Sequence, residues 1–142
     1  MPDDLRLVFD PDPTPADEGF VREQLGQWNV RVTGYADYSP AYYFVRDGSG
    51  EIKGGILAYV WGKWLHVDIL WLKDEIRGQG WGTKLMEAAH QIAREKGALG
   101  AFLDTFDWQA RPFYERLGYE LVFTLEGVPE GHNRYYMRKQ PL

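Results

Sequence analysis

Residues 5–9 alternate apolar and polar positions, the period of a half-buried strand, and Asp10-Pro11-Asp12-Pro13 stops them. Thr14-Pro15-Ala16-Asp17 then offers an N-cap, a proline suited to the first helical turn and an acidic start, so a helix is expected over 15–28. Phe20, Val21, Leu25 and Trp28 recur on one side of it. Residues 34–40, rich in Tyr, Asp and Ser, read as loop. Strands follow at 41–47, 51–61 and 64–72, joined by Asp47-Gly48-Ser49-Gly50 and by Gly62-Lys63, which makes an antiparallel meander. In the last of these, Leu65, Val67 and Ile69 fall on one face and His66 and Asp68 on the other. The period turns helical at 80–96, where Leu85, Met86, Ala89, Ile92 and Ala93 share a side and Gly97 is the stop. A short apolar strand at 99–105 precedes a helix at 108–117, with Pro112 in its first turn and Gly118 at its end. Strands at 119–125 and 133–139 complete the pattern.

A strand, a helix and a strand in succession through 80–96 require one parallel pair in an otherwise antiparallel sheet. The expected class is α+β, a mixed α/β chain forming a single domain over 1–142. The last strand alternates basic and aromatic side chains. Placed at the chain end, it is expected at a sheet edge, where a second subunit would pair to give a homodimer.

Composition narrows the chemistry. With 142 residues, 44% of them hydrophobic, the chain can bury one core. Its 6 Trp, 9 Tyr and 7 Phe predict either a heavily aromatic core or an aromatic-lined cleft; Trp61, Trp64 and Trp71 suit packing on the sheet faces. A net charge of -5 repels nucleic-acid backbones and favours cationic partners. The absence of cysteine excludes disulfides, thiolate catalysis and cysteine metal sites, and His66, His90 and His132 are too scattered to suggest zinc. The first residues lack a basic region followed by an apolar run, and no apolar stretch nears the ~20 residues of a membrane span. A cytoplasmic protein without metal, membrane or nucleic-acid partner is expected.

The candidate chemistry centres on Arg77-Gly78-Gln79-Gly80-Trp81-Gly82, between a strand and a long helix. Three glycines remove side chains where the backbone approaches a ligand, and the N–H groups opening a helix form an anion site suited to a pyrophosphate. The dinucleotide pattern G-x-G-x-x-G fails at Thr83, and the P-loop pattern fails because Gly82-Thr83-Lys84 has the wrong order. The pattern [R/Q]-x-x-G-x-[G/A] matches throughout.

With this turn, and with Ala110-Arg111-Pro112-Phe113-Tyr114-Glu115-Arg116-Leu117-Gly118-Tyr119 further on, the chain resembles the GNAT family of N-acetyltransferases. The resemblance is strong from 65 to 123 and extends loosely over nearly the whole chain. It implies a three-layer αβα fold around a mostly antiparallel sheet of about seven strands, with the parallel pair at the CoA site. It implies acetyl-CoA as co-substrate. Backbone N–H groups of Arg77, Gly78, Gln79, Gly80, Trp81, Gly82 and Thr83 would hold the pyrophosphate. The pantetheine arm would lie along Leu70, Trp71 and Leu72, whose N–H groups would also polarise the acetyl carbonyl, and Ala110 would lie beside it.

Tyr114 matches the family's general acid, and a phenol of pKa near ~10 is protonated at neutral pH. His66 stands at the distance before Arg77 where several members carry a base. It reads either as that base, directly or through water, or as a half-exposed histidine that only hydrogen-bonds. Asp68 would orient His66 or hold the substrate's ammonium. Where the family often has Asn against pantetheine, this chain has Asp107, which accepts hydrogen bonds but does not donate them when ionised. Asp104 and Asp107 would line an acidic pocket or cap the helix near Trp108. Tyr35, Asp37, Tyr38, Tyr42 and the loop 127–133 are candidate acceptor walls, or ordinary polar loops. Two functions fit: acetyl transfer to the primary amine of a small molecule or peptide, or non-catalytic acyl-CoA binding by a regulatory or scaffold module. An RNA-acetylating role is disfavoured by the acidic charge.

Overall fold

The computed structural model describes residues 4–142, in two compact units, one running up to Ala36 and the other Asp37–Leu142. In the first unit the strand expected over 5–9 does not form. Leu5, Leu7, Val8 and Phe9 are exposed and without ladder partners, because alternation makes a strand only where a neighbouring strand can bond it. Helix α1, Pro15–Thr33, starts as expected, with Thr14 Oγ1 accepting from the Asp17 N–H at 3.2 Å. It outruns its expected end because nothing breaks the helix before Gly34, whose φ of 76° lets its N–H reach the Val30 carbonyl at 2.8 Å. No side chain of α1 is buried.

The second unit is a seven-stranded sheet with two helices. Its strands are β1 Ser39–Pro40, β2 Tyr43–Arg46, β3 Ile52–Trp61, β4 Trp64–Leu72, β5 Gly100–Phe106, β6 Glu120–Glu126 and β7 Asn133–Lys139. They lie in the order β1-β3-β4-β5-β7-β6, and β2 also pairs β3. Only β4 and β5 are parallel, joined through α2, Trp81–Glu95, as the crossover requires. The strand expected at 41–47 is the shorter β2, and the stretch read as loop over 34–40 ends in β1, whose two residues find partners on β3. The last strand is not the edge: β7 inserts between β5 and β6, so the antiparallel hairpin gives the edge to β6.

Helix α3, Arg111–Arg116, is shorter than expected. The Gln109 side chain occupies the preceding turn, its Oε1 accepting from Thr105 Oγ1 at 3.0 Å and the Phe106 N–H at 2.9 Å. Asp107 and Trp108 thus lie outside the helix.

The buried face of α2, carrying Leu85, Met86, Ala89 and Ala93, belongs to one core with Ile56, Ala58, Leu65, Val67, Ala101, Leu103 and Met137. His90, whose role the pattern did not predict, is fully buried on the same helix. Between β3 and β4 the register passes from Ala58↔Val67 to Leu57↔Ile69, so Asp68 is the extra residue of a β-bulge. The bulge inverts the alternation. Leu65 and Val67 face the core before it and Leu70 and Leu72 pack there after it, while Ile69 is turned out, contrary to its expected face.

Candidate active site

The parallel pairing of β4 and β5 runs from Trp64↔Gly100 to Val67↔Leu103 and stops, although both strands continue. The edges Asp68–Leu72 and Asp104–Phe106 therefore have no strand partner in each other. A cavity of about 600 Å³ opens there. Leu70, Trp71 and Leu72 line it from β4, and Trp108, Ala110 and Tyr114 from the turn and helix after β5. An extended chain with its own amide groups fits such a strand edge, which is the recognition mode expected for a pantetheine arm.

The glycine turn follows a 3₁₀ turn at Asp74–Ile76. Gly78 and Gly80 have φ of 75° and 86°, a region that L side chains rarely adopt, and no heavy atom lies within 4 Å of where a Cβ would stand. Conformation, not crowding, demands glycine at both. Gly80 caps α2 without a side-chain acceptor, so the first helical N–H groups stay available to an anion. Gly82 is different: a Cβ would meet Phe113 Cζ at 3.2 Å, so α2 and α3 approach closely at the cavity wall. The turn is tied down by Arg77 Nε donating to the Leu72 carbonyl at 3.1 Å, by Gln79 Nε2 donating to the Glu75 carbonyl at 3.2 Å, and by the Lys53–Glu75 ion pair at 2.8 Å. Of the expected pyrophosphate residues, Arg77 and Gly82 reach the cavity wall; Gly78, Gln79, Gly80, Trp81 and Thr83 lie in the turn and first helical turn beyond it.

Tyr114 is buried among core side chains and lines the cavity. Burial, and next the Asp104 carboxylate, push its phenol up to about 12, so it is a proton donor throughout the neutral range. Asp104 is held by Arg134 at 2.8 Å. Asp68, exposed on the bulge, also lines the cavity and has no ion-pair partner among the described residues.

His66 does not line the cavity. Its ring stacks on Phe102 at 4.6 Å, and its Nδ1 lies 3.1 Å from the Tyr59 hydroxyl. Tyr38 packs on Tyr59 at 5.0 Å, which extends the aromatic row across the sheet. Burial, then the neighbouring phenols of Tyr42 and Tyr59, raise the Tyr38 pKa, with Asp68 a smaller contributor.

Asp107 also stands apart from the cavity wall. Its carboxylate accepts from His132 Nδ1 at 2.8 Å and the Asn133 N–H at 2.9 Å, clasping the loop before β7. Partial burial opposes its ionisation, but those bonds outweigh it and hold its carboxyl below the usual range. Thr105, Trp108 and Gln109 were not singled out from the sequence, and no spacing there could have shown that they wall the cavity.

Residues 5–119 match the acetyltransferase (GNAT) family. Over 92 residues, 64% of this chain and 68% of the relative, the sequence is 39% identical to a blasticidin-S acetyltransferase of Streptomyces morookaense. It is 28% identical over 123 residues to an acetyltransferase of Agrobacterium fabrum, covering 87% of this chain and 90% of that one. The solved structure of a putative acetyltransferase from Agrobacterium tumefaciens superposes with a TM-score of 0.88 at 26% identity, over 96% of this chain and 99% of that one. A strand pair that separates over an open cleft, a glycine turn conformed for an anion and a protonated tyrosine on the cleft wall agree with these matches, and the chain belongs to the GNAT acetyltransferase family of acetyl-CoA-dependent acyltransferases.

Proposed function

We propose that this acetyltransferase moves the acetyl group of acetyl-CoA directly onto the primary amine of a small molecule. The observation that carries this reading is the shared wall of one cavity: the exposed Asp68 carboxylate on the bulge, the edge Leu70–Leu72 that β5 leaves free and the protonated phenol of Tyr114. Asp68 holds the incoming ammonium at the cavity wall, and His66, two residues earlier on β4 and outside that wall, accepts its proton through water. The neutral nitrogen attacks the thioester carbonyl, whose oxygen is met by N–H groups of the β4 edge. The C–N bond forms and the C–S bond breaks. Tyr114 protonates the departing sulfur and recovers, through water in the cleft, the proton that the new amide nitrogen sheds. The products are the acetylated amine and CoA thiol. The relative named for blasticidin-S supports a small-molecule acceptor.

The test is release of free CoA from acetyl-CoA with a panel of polyamines, aminoglycosides, amino acids, peptide N-termini and nucleoside amines. Release with at least one small amine is expected. Acetyl-CoA binding with no release from any class would replace this reading with a non-catalytic acyl-CoA module.

A further inference from the structure

His90 and Tyr119 form a buried polar pair that the proposed chemistry does not use. His90 Nε2 lies 2.7 Å from the Tyr119 hydroxyl, and the two residues are 0% and 3% exposed. Burial lowers the His90 pKa below its ordinary value and raises that of Tyr119, so neutral imidazole faces protonated phenol. The phenol then donates to Nε2, and Nδ1–H points to Glu87 Oε1 at 3.4 Å. Arg94 and Lys139 are the cations facing this imidazole.

Tyr119 is anchored at both ends. Its N–H donates to the Tyr114 carbonyl at 3.0 Å, and its ring stands edge-on to the Tyr114 ring at 6.0 Å. The helix carrying Tyr114 has six residues and no side-chain N-cap. A helix that short does not hold itself and depends on what it packs against. Its far end is secured by Lys139 Nζ on the Leu117 carbonyl at 2.8 Å and by Tyr119.

We infer that the His90–Tyr119 hydrogen bond is a positioning device for the reaction: it locks the ring that abuts Tyr114 and thereby fixes where the Tyr114 hydroxyl enters the cavity. This inference rests on the reading of Tyr114 as the general acid. Tyr119 and His90 do not line the cavity and are positioning residues. An ordinary core pair would contribute stability only, whereas a positioning pair acts on turnover through Tyr114 alone.

The experiment is a double-mutant cycle in kcat on the whole chain, with free CoA release as readout and acetyl-CoA affinity measured alongside. Tyr119→Phe is expected to lower kcat about tenfold or more while the acetyl-CoA KM stays within about twofold. In a Tyr114→Phe background the same change should cost less than about twofold, because the group it positions is gone. His90→Gln places an amide near Nε2 and should restore most of the turnover that His90→Leu loses. Equal losses from Tyr119→Phe in both backgrounds, or no recovery by His90→Gln at a wild-type melting temperature, would overturn the inference. If Tyr119→Phe fails to fold, the His90→Gln and His90→Leu comparison decides alone. A Tyr114→Phe variant with wild-type turnover would instead remove the acid role on which the inference stands.

Discussion

Val67 pairs with Leu103, and the next residue on β4, Asp68, is bulged out of register with β3. The bulge and the end of the parallel pairing are one local event. A bulge bends its strand and sharpens its twist, which accounts for β4 and β5 parting at this point. The cleft opens at that residue, so the single carboxylate displaced by the bulge lies at its wall.

Asp68→Asn keeps the shape of the bulge and removes the charge. With a cationic acceptor, kcat/KM should fall about tenfold, the equivalent of ~1.4 kcal/mol, and the acetyl-CoA KM should stay within about twofold. Equal losses toward a neutral acceptor analogue would show that Asp68 shapes the cleft and does not hold the ammonium.

Tyr114→Phe removes the proposed proton donor and keeps the ring at the cavity wall. A fall in kcat of about 10²-fold or more is expected, with acetyl-CoA affinity by calorimetry nearly unchanged. A phenol serving as general acid works in its protonated form, which is present below its pKa and lost as pH rises through it. Because that pKa is pushed up to about 12, the alkaline limb of kcat below pH ~10.5 should come from another group and be the same in wild type and variant. The same raised pKa makes folding less favourable as pH climbs from ~10, where the unfolded phenol ionises, to about 12. The melting temperature of wild type should fall more steeply over that window than that of Tyr114→Phe.

Gly80→Ala puts a Cβ into open space but onto a φ of 86°. The strain costs ~1–2 kcal/mol and is relieved by moving the turn, so the acetyl-CoA KM should rise at least about fivefold with little change in kcat. Gly82→Ala tests a different cause, since its Cβ would press on Phe113 at 3.2 Å. Its effect should appear first in the melting temperature.

Asp107→Ala releases the loop that His132 and Asn133 tie to the turn after β5. Hydrogen exchange at the Asn133 amide should speed up markedly, while the acetyl-CoA KM stays within about twofold. A large rise in that KM would instead place Asp107 on the pantetheine arm.

Much of this architecture was legible in the chain alone. The 3.6 period of Leu85, Met86, Ala89 and Ala93 predicts α2 and its buried face, and the alternation of β3 predicts a strand with one side in the core. Glycines at 78, 80 and 82 predict an anion-binding turn because backbone conformation and helix-end N–H groups are local properties. The Tyr114 block is equally local, and with the turn it led to the family.

Tertiary structure decided the rest, because each remaining feature depends on a partner distant in sequence. Residues 5–9 alternate like a strand but find no neighbour to bond, so they are not one. The terminal strand is internal because the hairpin places it beside β5. The face reversal after Asp68 comes from the pairing of β4 with β3, since a bulge is a mismatch between two strands and no single strand encodes it alone. His90 reads as an isolated histidine until the fold brings it to Tyr119, and Trp108 and Gln109 become cavity wall only when β5 parts from β4. Short-range periodicity and turn chemistry thus predict most of the elements and the glycine turn, while long-range strand pairing decided the cleft, the carboxylate at its wall and the surroundings of Tyr114.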